Sequence, residues 1–137
     1  MSSRDLNDLT VEMKLMAEMH KALCKSRGVE LLIYCTLRSN EEQDELYKIG
    51  RSGRGSIVTN ARAGESAHNP DQNGFAHAYD CVPMLHGKCI WDAKHPSWAV
   101  VGQSGEEVGL SWSGRWGGKF KETAHFQHPS WVKKSLK

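Results

Sequence analysis

Ala76-His77-Ala78-Tyr79-Asp80-Cys81-Val82-Pro83 is the stretch on which the fold turns. Strand side chains point alternately to opposite faces, so Ala76, Ala78 and Asp80 share one face and His77, Tyr79 and Cys81 the other. Asp80 is then a carboxylate on a strand otherwise made of small and apolar groups, where burying it unpaired would be costly. Downstream, His86-Gly87-Lys88 suits a hairpin turn into Cys89-Ile90-Trp91, and Leu110–Trp112 and Ala124–Gln127 read as two more short strands. Upstream, Leu31-Leu32-Ile33-Tyr34-Cys35 is an apolar run of strand formers and reads as a buried strand.

Helices fill the intervals. Leu6, Leu9, Met13, Met16, Ala17, His20, Leu23 and Cys24 recur at three- and four-residue steps, the period of an amphipathic helix, and Gly28 ends it behind Lys25 and Arg27. His20 falls on the apolar face, as a core histidine with its hydrogen bonds satisfied. Ser39 and Glu42 form a capping box that opens a helix through about Lys48, closed by Gly50. Pro96 is placed as the first residue of a helix running to about Val108, stopped by Gly109. From Arg51 to Glu65 the chain is rich in glycine, serine and arginine and lacks periodicity, so it reads as a long loop. No repeat or linker interrupts the pattern. The expectation is one α+β domain over residues 1–137, a small and mostly antiparallel sheet with helices packed against it.

Composition narrows the function classes. The net charge of +2 is only mildly basic, and the basic residues are scattered among acids rather than gathered on one helix, which argues against nucleic-acid binding. Lys133, Lys134 and Lys137 read as a solvated basic tail. No apolar run is long enough to span a bilayer, so no membrane insertion is expected. No basic-then-apolar signal opens the chain, which makes cytoplasmic synthesis the expectation. Cys24, Cys35, Cys81 and Cys89 lack C-x-x-C spacing and read as four reduced thiols, Cys81 with Cys89 being the pairing open to them in an oxidising space. Trp91, Trp98, Trp112, Trp116 and Trp131 all lie in the last third, which must therefore pack around large rings or line a cleft.

Two further segments carry chemistry. Ser66-Ala67-His68 and Glu122-Thr123-Ala124-His125 each bring a histidine, and with Asp80 they supply a divalent metal with three protein ligands and one open position. That describes a hydrolytic zinc site rather than a structural one, which is normally closed by four protein ligands. Glu122, three residues before His125, is placed to handle a proton on an attacking water. A solvated glutamate between Lys121 and Thr123 is the other reading of the same residue.

Thr36-Leu37-Arg38-Ser39, Glu42-Gln43, Gly50-Arg51, Ile57-Val58-Thr59-Asn60-Ala61, Gly64-Glu65-Ser66-Ala67-His68-Asn69, Ala78-Tyr79-Asp80, Trp116-Gly117-Gly118 and His125-Phe126-Gln127 follow one another in an order that closely resembles the M15 family of zinc peptidases. The likeness is greatest to the phage-type endolysins that cut peptidoglycan peptides. It implies the D-Ala-D-Ala peptidase or Hedgehog-like fold, one zinc ion per chain held by His68, Asp80 and His125, and Glu122 as the catalytic acidic residue. It further implies Arg38 as the group that polarises the scissile carbonyl, and Gln43 and Ser66 as contacts to the substrate peptide.

One departure stands out. Eleven residues separate His68 from Asp80, more than the family pattern has, and the surplus around Pro70-Asp71-Gln72-Asn73-Gly74 is turn-forming. His77 is the substitute ligand should His68 be displaced, but His77 and Asp80 face opposite sides of a regular strand, so His68 is kept.

The resemblance implies an L-alanyl-D-glutamate endopeptidase acting on the peptidoglycan stem peptide. Such an enzyme is expected to work as a monomer and to reach the wall through a holin or an equivalent pore. A D-alanyl-D-alanine carboxypeptidase or dipeptidase on the same site is the alternative, and a non-catalytic zinc-stabilised binding module is a further one.

Overall fold

The computed structural model describes residues 2–51, 55–116 and 122–131. The basic tail at Lys133, Lys134 and Lys137, the Gly117-Gly118 pair and part of the loop after Arg51 lie outside them.

The first helix begins later than its periodicity suggests. Leu6–Asp8 form a separate 3-10 turn capped by Asp5, and Thr10 opens helix α1 (Val11–Ser26) by accepting the Met13 N–H at 3.1 Å. Met13, Ala17, His20 and Cys24 form its buried stripe. After Gly28, held at φ +81°, strand β1 runs from Glu30 to Cys35. Helix α2 (Asn40–Lys48) carries both hydrogen bonds of the Ser39–Glu42 capping box. Strand β2 (Ala78–Leu85) starts two residues after the expected Ala76, which makes only an isolated bridge to Leu9. His86 and Gly87, both at positive φ, turn the chain into β3 (Lys88–Cys89). Helix α3 (Ser97–Glu107), β4 (Ser111–Trp112), a 3-10 turn at Ser113–Arg115 and β5 (His125–Gln127) complete the order.

The strands pair antiparallel in the order β1-β2-β5-β4, with β3 beside the far end of β2, and the three helices complete an α+β fold. Leu31, Ile33, Tyr79, Cys81 and Phe126 face α1 and α3 and make the core with Met13, Ala17, Cys24 and Val101. Two glycines let α3 close on the sheet. A Cβ at Gly102 would come within 2.3 Å of the Trp112 ring, and one at Gly105 within 2.5 Å of Phe126. Trp112 and Phe126 in turn stack, at 6.2 Å and 8°. No helix among the described residues is long and apolar enough to cross a membrane. All four cysteines are free thiols, so the Cys81–Cys89 pairing is not formed.

The register of β1 on β2 breaks once. Ile33 opposes Cys81, but Asp80 is opposed by Cys35 rather than Tyr34, which makes a bulge at Tyr34. Since directly opposed residues share a face, the bulge moves Cys35 from the core side to the side of Asp80.

His20 is the core histidine that its position implies, with no exposed surface. The Val101 carbonyl, 2.8 Å from Nε2, can only accept, so Nε2 carries the hydrogen and Nδ1 accepts from the Tyr79 hydroxyl at 2.6 Å. Burial, partly offset by the Val101 carbonyl, lowers its pKa from 6.5 to about 4. Between those values the unfolded chain binds a proton that the folded one refuses, so stability falls as pH falls. We expect unfolding titrations to show a loss of about 3 kcal/mol between pH 6.5 and pH 4. His20→Gln, which keeps a donor and an acceptor but does not titrate, should flatten that profile.

Candidate functional site

Asp80 and His125 are direct cross-strand partners on β2 and β5, so their side chains leave the sheet side by side on the face away from the helices. His68 reaches them from a loop sewn to the segment after β1. Arg38 donates its backbone N–H to the His68 carbonyl at 2.8 Å, and the Asn69 side-chain amide donates to the Arg38 carbonyl at 3.1 Å. Ser66 Oγ accepts the His68 N–H at 3.2 Å and closes the local turn.

Three atoms meet at this point. His68 Nε2 lies 3.1 Å from Asp80 Oδ1 and 3.2 Å from His125 Nδ1, and His125 Nδ1 lies 3.2 Å from Asp80 Oδ1. Their other ring nitrogens decide what these atoms offer. His68 Nδ1 donates to the Thr36 carbonyl at 2.8 Å, and His125 Nε2 donates to Gln127 Oε1 at 2.8 Å. In the neutral imidazoles, therefore, Nε2 of His68 and Nδ1 of His125 are lone pairs, facing each other and a carboxylate oxygen. Such a triangle needs a cation. A tetrahedral ion with bonds of about 2.0–2.1 Å would separate its ligand atoms by about 3.3 Å, close to the spacing here. Two imidazole nitrogens and one carboxylate oxygen are also the donors that a catalytic zinc takes.

The electrostatics agree. Burial works against charge on His68, but the Asp80 carboxylate outweighs it and raises the His68 pKa to about 10. Burial would push Asp80 up, yet His68 and His125 hold it well below the usual carboxylate range. A field that traps a proton on His68 also favours a divalent cation.

Around the triangle stand the remaining groups. Glu122 is exposed, and its carboxylate lies within 4.8 Å of the ligand atoms of Asp80 and His125. Its segment is pinned by Ser113, whose hydroxyl donates to the Glu122 carbonyl at 2.6 Å, and by Trp112 Nε1, which donates to the Thr123 carbonyl at 2.9 Å. Arg38 reaches to 3.9 Å from Asp80 Oδ2 and donates to Gln43 Oε1 at 3.1 Å. Arg38, Ser66, His68, Asp80, Glu122 and His125 all line one cleft of about 600 Å³, with Trp116 and Trp131 among its walls.

Gln43 departs from expectation. It has no exposed surface and donates to the Ala61 carbonyl at 2.8 Å while accepting from Arg38, so it braces the arginine and does not face the cleft as a peptide contact. His77 is no substitute ligand, because its Nε2 pairs with Asp71 Oδ2 at 2.8 Å. Asp71 also accepts the backbone N–H groups of Asn73 and Phe75, which folds the inserted residues into a turn of their own. Cys35, Thr36 and Gln127 were not singled out from the sequence. Gln127 was reachable in principle, since it shares a strand face with His125. Cys35 was not, because the bulge that turns its sulfur to 3.8 Å from His68 Nδ1 has no local signature.

No family model matches the chain. The peptidoglycan L-alanyl-D-glutamate endopeptidase CwlK of Bacillus subtilis (strain 168) is 35% identical over 129 residues, which cover 88% of this chain and 74% of CwlK. The chain belongs to the M15 family of peptidoglycan peptidases. Its fold is shared with the L-Ala D-Glu endopeptidase ChiX of Serratia marcescens, at a TM-score of 0.60 and 21% identity over 93% of this chain and 88% of ChiX. The LD-carboxypeptidase LdcB also shares it, at a TM-score of 0.67 and 20% identity over 88% of this chain and 58% of LdcB.

A cation entering the triangle must displace the proton on His68. We expect zinc binding near pH 8 to release about one proton per ion, read by calorimetry in buffers of different ionisation enthalpy. Binding without proton release would contradict the arrangement.

Proposed function

We propose that this chain is a zinc-dependent endopeptidase that cuts the L-alanyl-D-glutamate bond of peptidoglycan stem peptides. The observation that carries the reading is the triangle of His68, Asp80 and His125 on the floor of an open cleft, with the exposed Glu122 carboxylate within 4.8 Å of the ligand atoms of Asp80 and His125. The relationship to CwlK supports the choice of bond.

In this reading His68, Asp80 and His125 hold one zinc ion per chain. Zinc bound there supplies a Lewis acid and lowers the pKa of a coordinated water to about 7. Glu122 takes the proton from the attacking water and returns it to the departing amine. An exposed carboxylate on a segment pinned through its backbone suits that exchange, since it keeps access to both water and leaving group. Arg38, braced by Gln43, faces the negative charge that grows on the carbonyl oxygen. Thr36 and Gln127 keep the two imidazoles in the tautomers that the site requires. Ser66 lies on the cleft wall as a peptide contact. A closed structural zinc module would have no use for Glu122 in this place.

The chain acts on the cell wall as a monomer, made in the cytoplasm and released through a holin or an equivalent pore in the manner of an endolysin.

Glu122→Ala should lower kcat by about 10²–10⁴-fold while still binding one zinc per chain. A variant with full lytic activity would remove Glu122 from the mechanism. Mass spectrometry of digested muropeptides should show cleavage after the first L-alanine. Loss of a terminal D-alanine alone would assign a carboxypeptidase instead.

A further inference from the structure

The sheet face that carries Asp80 continues beyond the triangle. Along β2 it next presents Val82 and Met84. Cys89 opposes Met84, so alternation returns Trp91 to this face two residues later. The Ile90 N–H donates to the Pro83 carbonyl at 2.9 Å, which sets Trp91 beside Val82. From the other flank of β2, Leu32 opposes Val82, and alternation puts Tyr34 on the same face.

The two rings meet edge to face, with centroids 5.5 Å apart at 71°. Val82 is fully buried although it stands outside the helix-side core, as a residue roofed by this pair would be. Trp91 itself keeps 62% of its surface open. Burial first, and then the neighbouring Asp80 carboxylate, push the Tyr34 phenol up. Val82 is two residues along the strand from Asp80, about 7 Å.

That distance matches the substrate. In a stem peptide the first L-alanine is joined through a lactyl group to a muramyl sugar. The sugar ring therefore lies about two residue lengths, roughly 7 Å, from the L-alanyl carbonyl. At the D-alanine end of the peptide no sugar lies so near. A pyranose presents a face of C–H groups whose partial positive charge suits the electron-rich face of an indole.

We propose that Trp91, braced by Tyr34, forms the subsite for the muramyl sugar of the substrate. The subsite rests on the L-alanyl-D-glutamate reading and explains how the enzyme selects that bond over others in the same peptide.

The test compares two substrates with the zinc-loaded protein: the N-acetylmuramyl derivative of L-alanyl-D-glutamyl-L-lysine, and the same tripeptide carrying only an N-acetyl group. Wild type should favour the sugar-bearing substrate by about tenfold in kcat/KM, chiefly through KM. Trp91→Ala should bring the ratio to near one, and Trp91→Phe should keep most of the preference. Because Trp91 is exposed, the variants are expected to fold, and the ratio is insensitive to the fraction of active protein. Cleavage of both substrates at the same bond, with the ratio unaltered by Trp91→Ala, overturns the subsite and leaves the peptidase reading standing. Cleavage of neither at that bond by wild type overturns the reading, and the subsite with it.

Discussion

The site depends on one constraint, the register of β5 on β2. Asp80 and His125 stand opposite each other, and the strand period of two puts Tyr79 and Phe126 on the reverse face, in the core. A slip of one residue would turn His125 into the apolar layer and expose Phe126 in the cleft. Burying an imidazole without its partners and exposing a phenyl ring both cost free energy, so hydrophobic packing on one face fixes ligand geometry on the other. The stack of Trp112 on Phe126 tightens this coupling, and Gly102 and Gly105 of α3 make room for the two rings. A methyl group at either glycine would push on β4 or β5, and through them on His125.

His68 is held differently. No strand carries it; its orientation comes from hydrogen bonds to the segment after β1, including the Thr36 carbonyl on its far ring nitrogen. The Tyr34 bulge belongs to the same device, since it carries Cys35 to the cleft side just before the chain leaves the sheet. Arg38 then sits between Asp80, Cys35 and Gln43, where its charge offsets part of the buried carboxylate. The cleft floor is thus a polar layer in which each group is already spoken for, except the three atoms of His68, Asp80 and His125 that face one another with a proton at most between them. That exception is what separates a reactive centre from a merely buried polar cluster.

Strong local signals carried much of this into the amino-acid sequence. The Ser39–Glu42 box, the α1 stripe and the alternation through Asp80 are short-range patterns, and the structure repeats them to within a few residues. Thr10 moved the start of α1 because its hydroxyl bonds the Met13 N–H and leaves Leu6 and Leu9 outside the helix. What local pattern could not supply was pairing. The bulge, the burial of Gln43 against Arg38 and Ala61, and the meeting of Tyr34 with Trp91 all arise where remote segments cross. His68, Asp80 and His125 were legible as candidate ligands through their order along the chain, whereas Thr36 and Gln127, which orient the rings, carry no chemistry of their own to mark them.

The residues inserted between His68 and Asp80 show why ligand spacing is a looser guide than strand register. Asp71 accepts two backbone N–H groups and pairs with His77, and Gly74, at φ +89°, lets the turn close. The loop satisfies its polar groups internally and asks nothing of the cleft. Doubling a loop costs only about 0.6 kcal/mol in closure entropy, a small debit against a register set by the core. At its end the His77 N–H donates to the Ala67 carbonyl at 2.9 Å, so the chain is returned to the His68 loop just before β2 begins. Insertions that rejoin through that bond leave His68 and Asp80 together, because the Thr36 carbonyl and the Arg38 N–H hold His68 independently of the inserted turn.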